Sequence, residues 1–332
     1  MTDSNTVEAF NALDPDLRDI ITVGGHSITW DDHIGQDRAK RVLRRAAASA
    51  KKREAVMGHA LLASPYAGIG KTSLAILAAL EMNRGFAIVS GKVTLAEMRS
   101  VLADMEDGDV LVIDEAHLLV SGGKANSEWL LPYMQSGKLV GPMGPEDYPS
   151  VTILATTTDA GRLPGPLRER FPYAPALEPY SDDEAAQIAL LHASKLFPGD
   201  IPLPSPAIAH QLAAAGANRP RVIRSLVMTL MDLAILGEVE GPDYDMVLVL
   251  EACDVTEDGL NAQAQEYLKV LHQAHGALGA APLAERLGEK GDGLGDLERL
   301  LVDKGLIGRT QRGRELTRSG IVRAKELSRP AA

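Results

Sequence analysis

Pro65-Tyr66-Ala67-Gly68-Ile69-Gly70-Lys71-Thr72 decides how this 332-residue chain folds. It lies between the apolar run His59-Ala60-Leu61-Leu62-Ala63 and the helix-forming run Ser73-Leu74-Ala75-Ile76-Leu77-Ala78-Ala79-Leu80. Strand, glycine-rich loop and helix in that order are the context a phosphate-binding loop requires. Glycines let successive backbone N–H groups turn inward, and a helix starting at Lys71 aims its positive end at the same point. Gly68, Ile69, Gly70, Lys71, Thr72 and Ser73 are the expected nucleotide-binding residues. Lys71 would neutralise the β and γ oxygens of ATP, and Thr72 would offer a hydroxyl to Mg²⁺. The first position of the pattern, normally glycine, is Pro65, which fixes φ and removes a donor. The residues nearest the phosphates, Gly70, Lys71 and Thr72, are intact, so binding is expected to survive.

About forty residues later, Val110-Leu111-Val112-Ile113-Asp114-Glu115-Ala116-His117 joins a β-branched apolar run to two carboxylates. A parallel strand buried on both faces explains such a run. Asp114 is expected to hold Mg²⁺ through water and Glu115 to polarise the attacking water. Alone, the segment would also fit a strand followed by a helix-capping acidic pair; beside the glycine loop it points to ATP hydrolysis.

Composition narrows the class. The 45% hydrophobic content and the length suit two or three globular domains. A single cysteine, Cys253, excludes intramolecular disulfides and a Cys-rich zinc site, and no apolar run approaches membrane-spanning length. The amino terminus lacks the basic and apolar regions of a signal peptide. A soluble cytoplasmic protein with no membrane partner is expected. The net charge of −11 is uneven: Lys304 to Arg329 holds eight basic residues against Glu315 and Glu326, so that segment is +6 and the remainder −17. A basic carboxy-terminal module on an acidic body suggests local nucleic-acid contact, although a solvated helix end would carry the same charge.

Strand candidates Leu61–Ser64, Phe86–Ser90, Val110–Asp114 and Val151–Thr156 alternate with helical runs, which predicts a parallel sheet with helices on both faces. Residues 37–56 interleave basic residues with Val42, Leu43 and alanines as an amphipathic helix. Past Pro179-Tyr180 the pattern turns all-helical, over Asp182–Leu196, Pro204–Ala215 and Pro220–Leu236. Helices around Ala262–His275 and Asp296–Lys304 then precede two short strands flanking Gln311-Arg312-Gly313, which suggests a winged helix. The expected division is a mobile tail at 1–20, an ATPase domain at 21–180, a lid at 181–255 and a winged helix at 256–332.

These residues resemble the RuvB family, the AAA+ motors of Holliday-junction branch migration. The resemblance runs over about residues 30–320. It rests on His33-Ile34-Gly35-Gln36, the two stretches above, Ala155-Thr156-Thr157, Pro166-Leu167-Arg168-Glu169-Arg170-Phe171, Arg219-Pro220-Arg221, Asp258-Gly259-Leu260 and Arg309-Thr310-Gln311-Arg312-Gly313-Arg314. The last motif and Pro-Leu-Arg-x-Arg-Phe are far more specific than the ATPase pair. The fold implied is an α/β P-loop NTPase of the AAA+ class with an all-α lid and a carboxy-terminal winged helix. By resemblance Thr157 is the γ-phosphate sensor, Arg170 (with Arg168 as fallback) the arginine finger acting on a neighbour, and Arg221 the second sensor. Tyr180 and Pro220 flank adenine, and Arg309, Arg312 and Arg314 contact DNA phosphates. Each also has a plain structural alternative: a strand-end threonine, helix-end arginines, or core and turn residues. Three arginines on one wing are poorly explained by core packing.

The implied partners are duplex or four-way-junction DNA, further copies of the chain in a hexameric ring, and a RuvA-like adaptor. The chain departs from the family pattern where an adaptor-docking hairpin is expected. Gly141-Pro142-Met143-Gly144-Pro145-Glu146-Asp147-Tyr148-Pro149 is shorter and richer in proline, which puts the adaptor in question. Residues 21–32 lack the usual Arg-Pro lead, and an extra residue stands near Thr158-Asp159. A DNA translocase with helicase-like ATPase activity is the leading expectation. An AAA+ loader that assembles a partner on DNA, and a degenerate nucleotide-binding protein, are the alternatives.

Overall fold

The computed structural model describes residues 22–23, 26–27, 29–121, 129–141, 144–289 and 294–328. The tail expected at 1–20, and Pro142 and Met143 of the altered segment, lie outside the described residues. The chain forms two compact units, Met1–Leu196 and Phe197–Ala332.

In the first unit, two short strands, β1 (Thr22–Val23) and β2 (His26–Ser27), precede helix α1 (Asp37–Arg53). Four parallel strands follow in the spatial order β3 (Ala60–Ala63), β8 (Thr152–Thr157), β5 (Val110–Asp114), β4 (Phe86–Ser90). Val110, Leu111, Val112 and Ile113 are all 0% exposed, as a central strand covered on both faces requires. Tyr173 extends the sheet by one parallel bridge to Ala60, and its carbonyl accepts from the Leu61 amide at 2.8 Å. Helix α2 (Lys71–Met82) is rich in Ala and Leu, both strong helix formers, and packs beside α1. Helix α3 (Leu95–Ala103) opens with a capping box in which Thr94 and Glu97 satisfy each other's backbone amides.

Short helices α4 (Leu118–Ser121) and α5 (Leu130–Ser136) lead to an antiparallel hairpin, β6 (Lys138–Gly141) with β7 (Gly144–Asp147). Lys138 and Asp147, register partners at its base, form an ion pair at 3.1 Å. A hairpin thus persists where the sequence departs from the family pattern, with strands of four residues each. After β8 come α6 (Gly165–Arg168) and α7 (Asp182–Leu196).

The second unit holds α8 (Pro206–Ala215), α9 (Pro220–Ile235), α10 (Met246–Cys253), α11 (Ala262–Gln273), α12 (Ala280–Arg286), α13 (Gly295–Asp303), β9 (Ile307–Thr310), β10 (Gly313–Leu316) and α14 (Arg318–Leu327). Strands β9 and β10 pair Thr310 with Gly313, so Gln311-Arg312 is a two-residue turn, and Leu278 adds a third, bridged strand position beside Arg314. That is the helical base and wing the sequence suggests. Its core is Leu260, Tyr267, Leu268, Leu283, Leu301 and Ile307, with one charged intruder, Glu298, 3% exposed. Among the described residues no helix is long and apolar enough to cross a membrane.

Candidate functional site

The loop between β3 and α2 is held from three sides. Ser64, buried at the end of β3, donates its amide to the Thr157 carbonyl at 3.1 Å, and its hydroxyl accepts from the Tyr66 amide at 3.3 Å. Pro65 is exposed between them. Ile69 is buried and its carbonyl accepts the Tyr180 phenol at 3.1 Å. Burial, with Glu184 nearby, pushes the Tyr180 phenol up, which keeps it a donor. Gly70 has φ +86°, and a Cβ there would stand 2.5 Å from His33 Nε2, so both the backbone angle and the close approach demand glycine. Burial, reinforced by Lys40, lowers His33 to about 4, so a neutral ring lies against the loop.

Gly70 caps α2, and the first intrahelical bond runs from Leu74 to Gly70 at 2.9 Å. The amides of Lys71, Thr72 and Ser73 precede that bond and form a first-turn donor set for phosphate. Lys71 is 6% exposed and its ammonium donates to the Tyr66 carbonyl at 2.8 Å. Thr72 Oγ1 donates to Asp114 Oδ1 at 2.8 Å, tying the loop to the end of β5, and Thr156 Oγ1 donates to the same oxygen at 2.5 Å. Hard oxygen donors on Thr72 and Asp114, with the second Asp114 oxygen outside this pair of bonds, match what Mg²⁺ takes. The residues present therefore fit a nucleotide triphosphate with its metal.

Glu115 follows with φ +50°, an uncommon angle for a side-chain-bearing residue. Its amide donates to Thr156 Oγ1 at 3.3 Å. Its Oε2 accepts from the Thr158 amide at 3.1 Å and the Thr158 hydroxyl at 2.9 Å, and lies 3.1 Å from His117 Nδ1. His117 Nδ1 also contacts Thr157 Oγ1 at 3.0 Å.

Thr157 is 0% exposed, its hydroxyl occupied by His117 and the Asp159 amide. Thr158, half-buried, is the threonine that reaches the Glu115 carboxylate. The sequence assigned no role to Thr156 or Thr158, because a run of three threonines gives no clue to which face each takes. Strand alternation from the buried Ala155 supplies only a parity, and the strand ends at Thr157.

Leu167 and Phe171 are buried in the sheet core and anchor α6, while Arg168 and Arg170 between them are exposed. Among the described residues neither arginine has an ion-pair or side-chain hydrogen-bond partner. On the second unit, Pro220 and the exposed Arg221 open α9.

The wing corrects one expectation. Glu298 Oε2 accepts from Arg309 Nη2 at 2.8 Å and from Arg314 Nη2 at 3.1 Å, and Oε1 from Arg314 Nε at 2.7 Å and the Tyr267 phenol at 3.1 Å. Two of the three wing arginines thus have a core explanation: they compensate a buried carboxylate that would otherwise be very costly. The signal was present, since Leu294, Leu297, Glu298 and Leu301 follow helical core spacing and Glu298 occupies an apolar position. Arg312, at the turn, is exposed.

A triphosphate-binding loop, an acidic strand end hydrogen-bonded to it and a winged helix define a P-loop ATPase joined to a winged-helix module. Residues 26–177 match the family model described as the Holliday junction DNA helicase RuvB P-loop domain, and residues 257–324 that of the RuvB C-terminal winged helix domain. The Holliday junction branch migration complex subunit RuvB of Thermotoga maritima is 32% identical over 301 residues, covering 86% of this chain and 88% of that protein. Its counterpart from Rubrobacter xylanophilus is 33% identical over 304 residues, covering 87% and 83%. The solved Thermotoga maritima RuvB Holliday junction branch migration motor superposes with a TM-score of 0.79 at 30% identity, over 94% of this chain and 99% of that one. The chain belongs to the RuvB family.

Proposed function

We propose that this protein is an ATP-driven DNA motor that moves four-way junctions, working as a hexameric ring. The observation that carries the reading is the hydrogen bond from Thr72 to Asp114, which joins the phosphate loop to the acidic strand end. The relatives' names, as subunits of a Holliday junction branch migration complex, supply the DNA substrate class.

Lys71 and the first amides of α2 would bind the β and γ phosphates, and Thr72 and Asp114 would hold Mg²⁺. The metal, when bound, withdraws charge from the phosphate oxygens. Glu115 orients and polarises water in line with the γ-phosphate. Thr157 is the γ-phosphate sensor that the family resemblance implies, and Thr158, whose hydroxyl meets the Glu115 carboxylate, is the alternative at the same strand end. Arg170, exposed and unpaired among the described residues, acts on the nucleotide of a neighbouring copy. Arg221 acts as second sensor, Pro220 and Tyr180 border the adenine, and Tyr180 also holds the loop through Ile69.

The functional division we favour is an ATPase domain at 21–180, a lid at 181–255 and a winged helix at 256–332. Arg312 and the exposed edge of Arg309 meet DNA phosphates, whereas Arg314 braces the wing. A RuvA-like adaptor would dock on the β6–β7 hairpin, and the cytoplasm is the expected compartment. A loader that assembles a partner on DNA is the second reading, favoured only by the brevity of that hairpin.

Electron microscopy of the protein with an ATP analogue and four-way-junction DNA tests the proposal. Closed rings threaded by duplex, with ATP-dependent junction dissociation in solution, support the motor. Open or absent rings without junction movement favour the loader.

A further inference from the structure

Among the described residues, α1 of the ATPase unit carries a larger set of basic side chains outside ion pairs than the wing does. Its seventeen residues hold eight basic side chains against one acidic, Asp37, in a chain of net charge −11. Asp37 pairs with Lys40 at 3.0 Å and attracts Arg41 more weakly. Among the described residues no ion pair engages Arg38, Arg41, Arg44, Arg45, Lys51 or Lys52, and all six are exposed. The carboxy-terminal module contrasts with this, since Arg309 and Arg314 are held by Glu298, and Arg323 by Asp258 and Glu326.

Arg38, Arg41, Arg45 and Lys52 recur at intervals that keep them on one stripe of the helix. The steps of three, four and seven residues advance about 4.5, 6 and 10.5 Å along the axis, roughly one and a half to three times the axial rise of about 3.4 Å per phosphate along one strand of a duplex. The three arginines line a groove of about 350 Å³ with Ser49 and the half-buried Tyr173. Unpaired like charges at helical neighbour spacing repel one another, so the stripe works against the helix that carries it unless an anion covers it. Planar guanidinium groups beside a hydroxyl and an aromatic ring suit phosphate and sugar.

We propose that this stripe is a second nucleic-acid surface, binding the phosphate backbone of duplex DNA without sequence preference. The inference rests on the DNA-motor reading above and adds to it a contact made by the ATPase unit itself.

The test is the affinity of the full-length protein for a random-sequence duplex across a salt series. It compares wild type, an Arg38→Gln, Arg41→Gln, Arg45→Gln triple variant and the matching Arg→Lys triple. The glutamine triple should lower the slope of log affinity against log salt by about two to three units, roughly one per lost phosphate contact. The lysine triple should keep the slope, and ATP turnover without DNA should be unchanged in both. An unchanged slope in the glutamine triple, with wild type binding normally, overturns the proposal and leaves the motor reading standing; an acidic protein partner would then be the better occupant. Parallel loss of slope and basal turnover in both triples would also overturn it, as a folding effect. If wild type fails to bind duplex at any salt, the motor reading fails as well.

Discussion

Glu115 Oε2 accepts two hydrogen bonds from a single residue, Thr158, through its amide at 3.1 Å and its hydroxyl at 2.9 Å. The carboxylate at the end of β5 is thereby fixed by the chain leaving the adjacent strand β8. A water-polarising carboxylate held this way has a defined orientation before substrate arrives, the condition under which positioned groups contribute most. Thr158→Val keeps the amide bond and removes the hydroxyl. ATP turnover should fall on the order of 10- to 100-fold, the value of one hydrogen bond to a charged group, while nucleotide affinity stays within a few-fold. Turnover equal to wild type would show that the amide alone positions Glu115.

Glu115→Gln should bind ATP with near-normal affinity and hydrolyse it slower by several orders of magnitude, because the amide cannot polarise water as the carboxylate does. Equilibrium binding of a fluorescent ATP analogue and steady-state phosphate release measure the two effects separately. Weakened binding with proportionate loss of turnover would instead give Glu115 a structural role in the loop.

On the wing, Arg314 and Arg312 should separate cleanly. Arg314→Ala leaves Glu298 with Arg309 and Tyr267 only and should destabilise the winged helix by roughly 3 kcal/mol, the lower end of what breaking a buried pair costs. Arg312→Ala, at the exposed turn, should leave stability unchanged and lower the salt slope of duplex binding by about one unit. Denaturant midpoints and binding isotherms on the two variants decide between bracing and contact.

His59 makes stability pH-dependent. Its Nδ1 accepts the Ile153 amide at 3.0 Å, which demands an unprotonated nitrogen, and burial lowers the ring to about 4. With the folded value below the unfolded one near 6.5, the stabilisation is complete above about pH 6.5 and is lost as pH falls toward 4. The loss from His59 should be on the order of 2 kcal/mol. His33, lowered to about 4 by burial and Lys40, acts in the same direction. Melting temperatures between pH 7 and pH 4.5 should fall less steeply for His59→Gln than for wild type; identical slopes would place the acid sensitivity elsewhere.

The ATPase fold was legible because its signals are local. Phe86–Ser90, Val110–Asp114 and Asp182–Leu196 appear with the bounds the sequence predicts, and Val151–Thr156 is displaced by one residue to Thr152–Thr157. The phosphate loop was equally plain, since glycine, lysine and threonine must be contiguous there. Helices α10, α12 and α14 were not singled out: each is ten residues or shorter, and their ends are set by packing more than by sequence. The Glu298 cluster depends on residues eleven and sixteen positions away in sequence. Which of Thr156, Thr157 and Thr158 meets which carboxylate depends on how the end of β8 lies against β5, a relation no single segment encodes.

The proposed ring chemistry is tested most directly by mixing two inactive proteins. Glu115→Gln lacks the water-polarising carboxylate, and Arg170→Ala lacks the arginine that would act across an interface; each alone should show little ATP hydrolysis. In a mixture, some interfaces pair an intact Glu115 on one copy with an intact Arg170 on its neighbour. Turnover should therefore reappear, peak near equal proportions and require DNA-competent assemblies. Mixtures as inactive as the separate variants, under conditions where light scattering shows that they co-assemble, would contradict hydrolysis between neighbouring subunits.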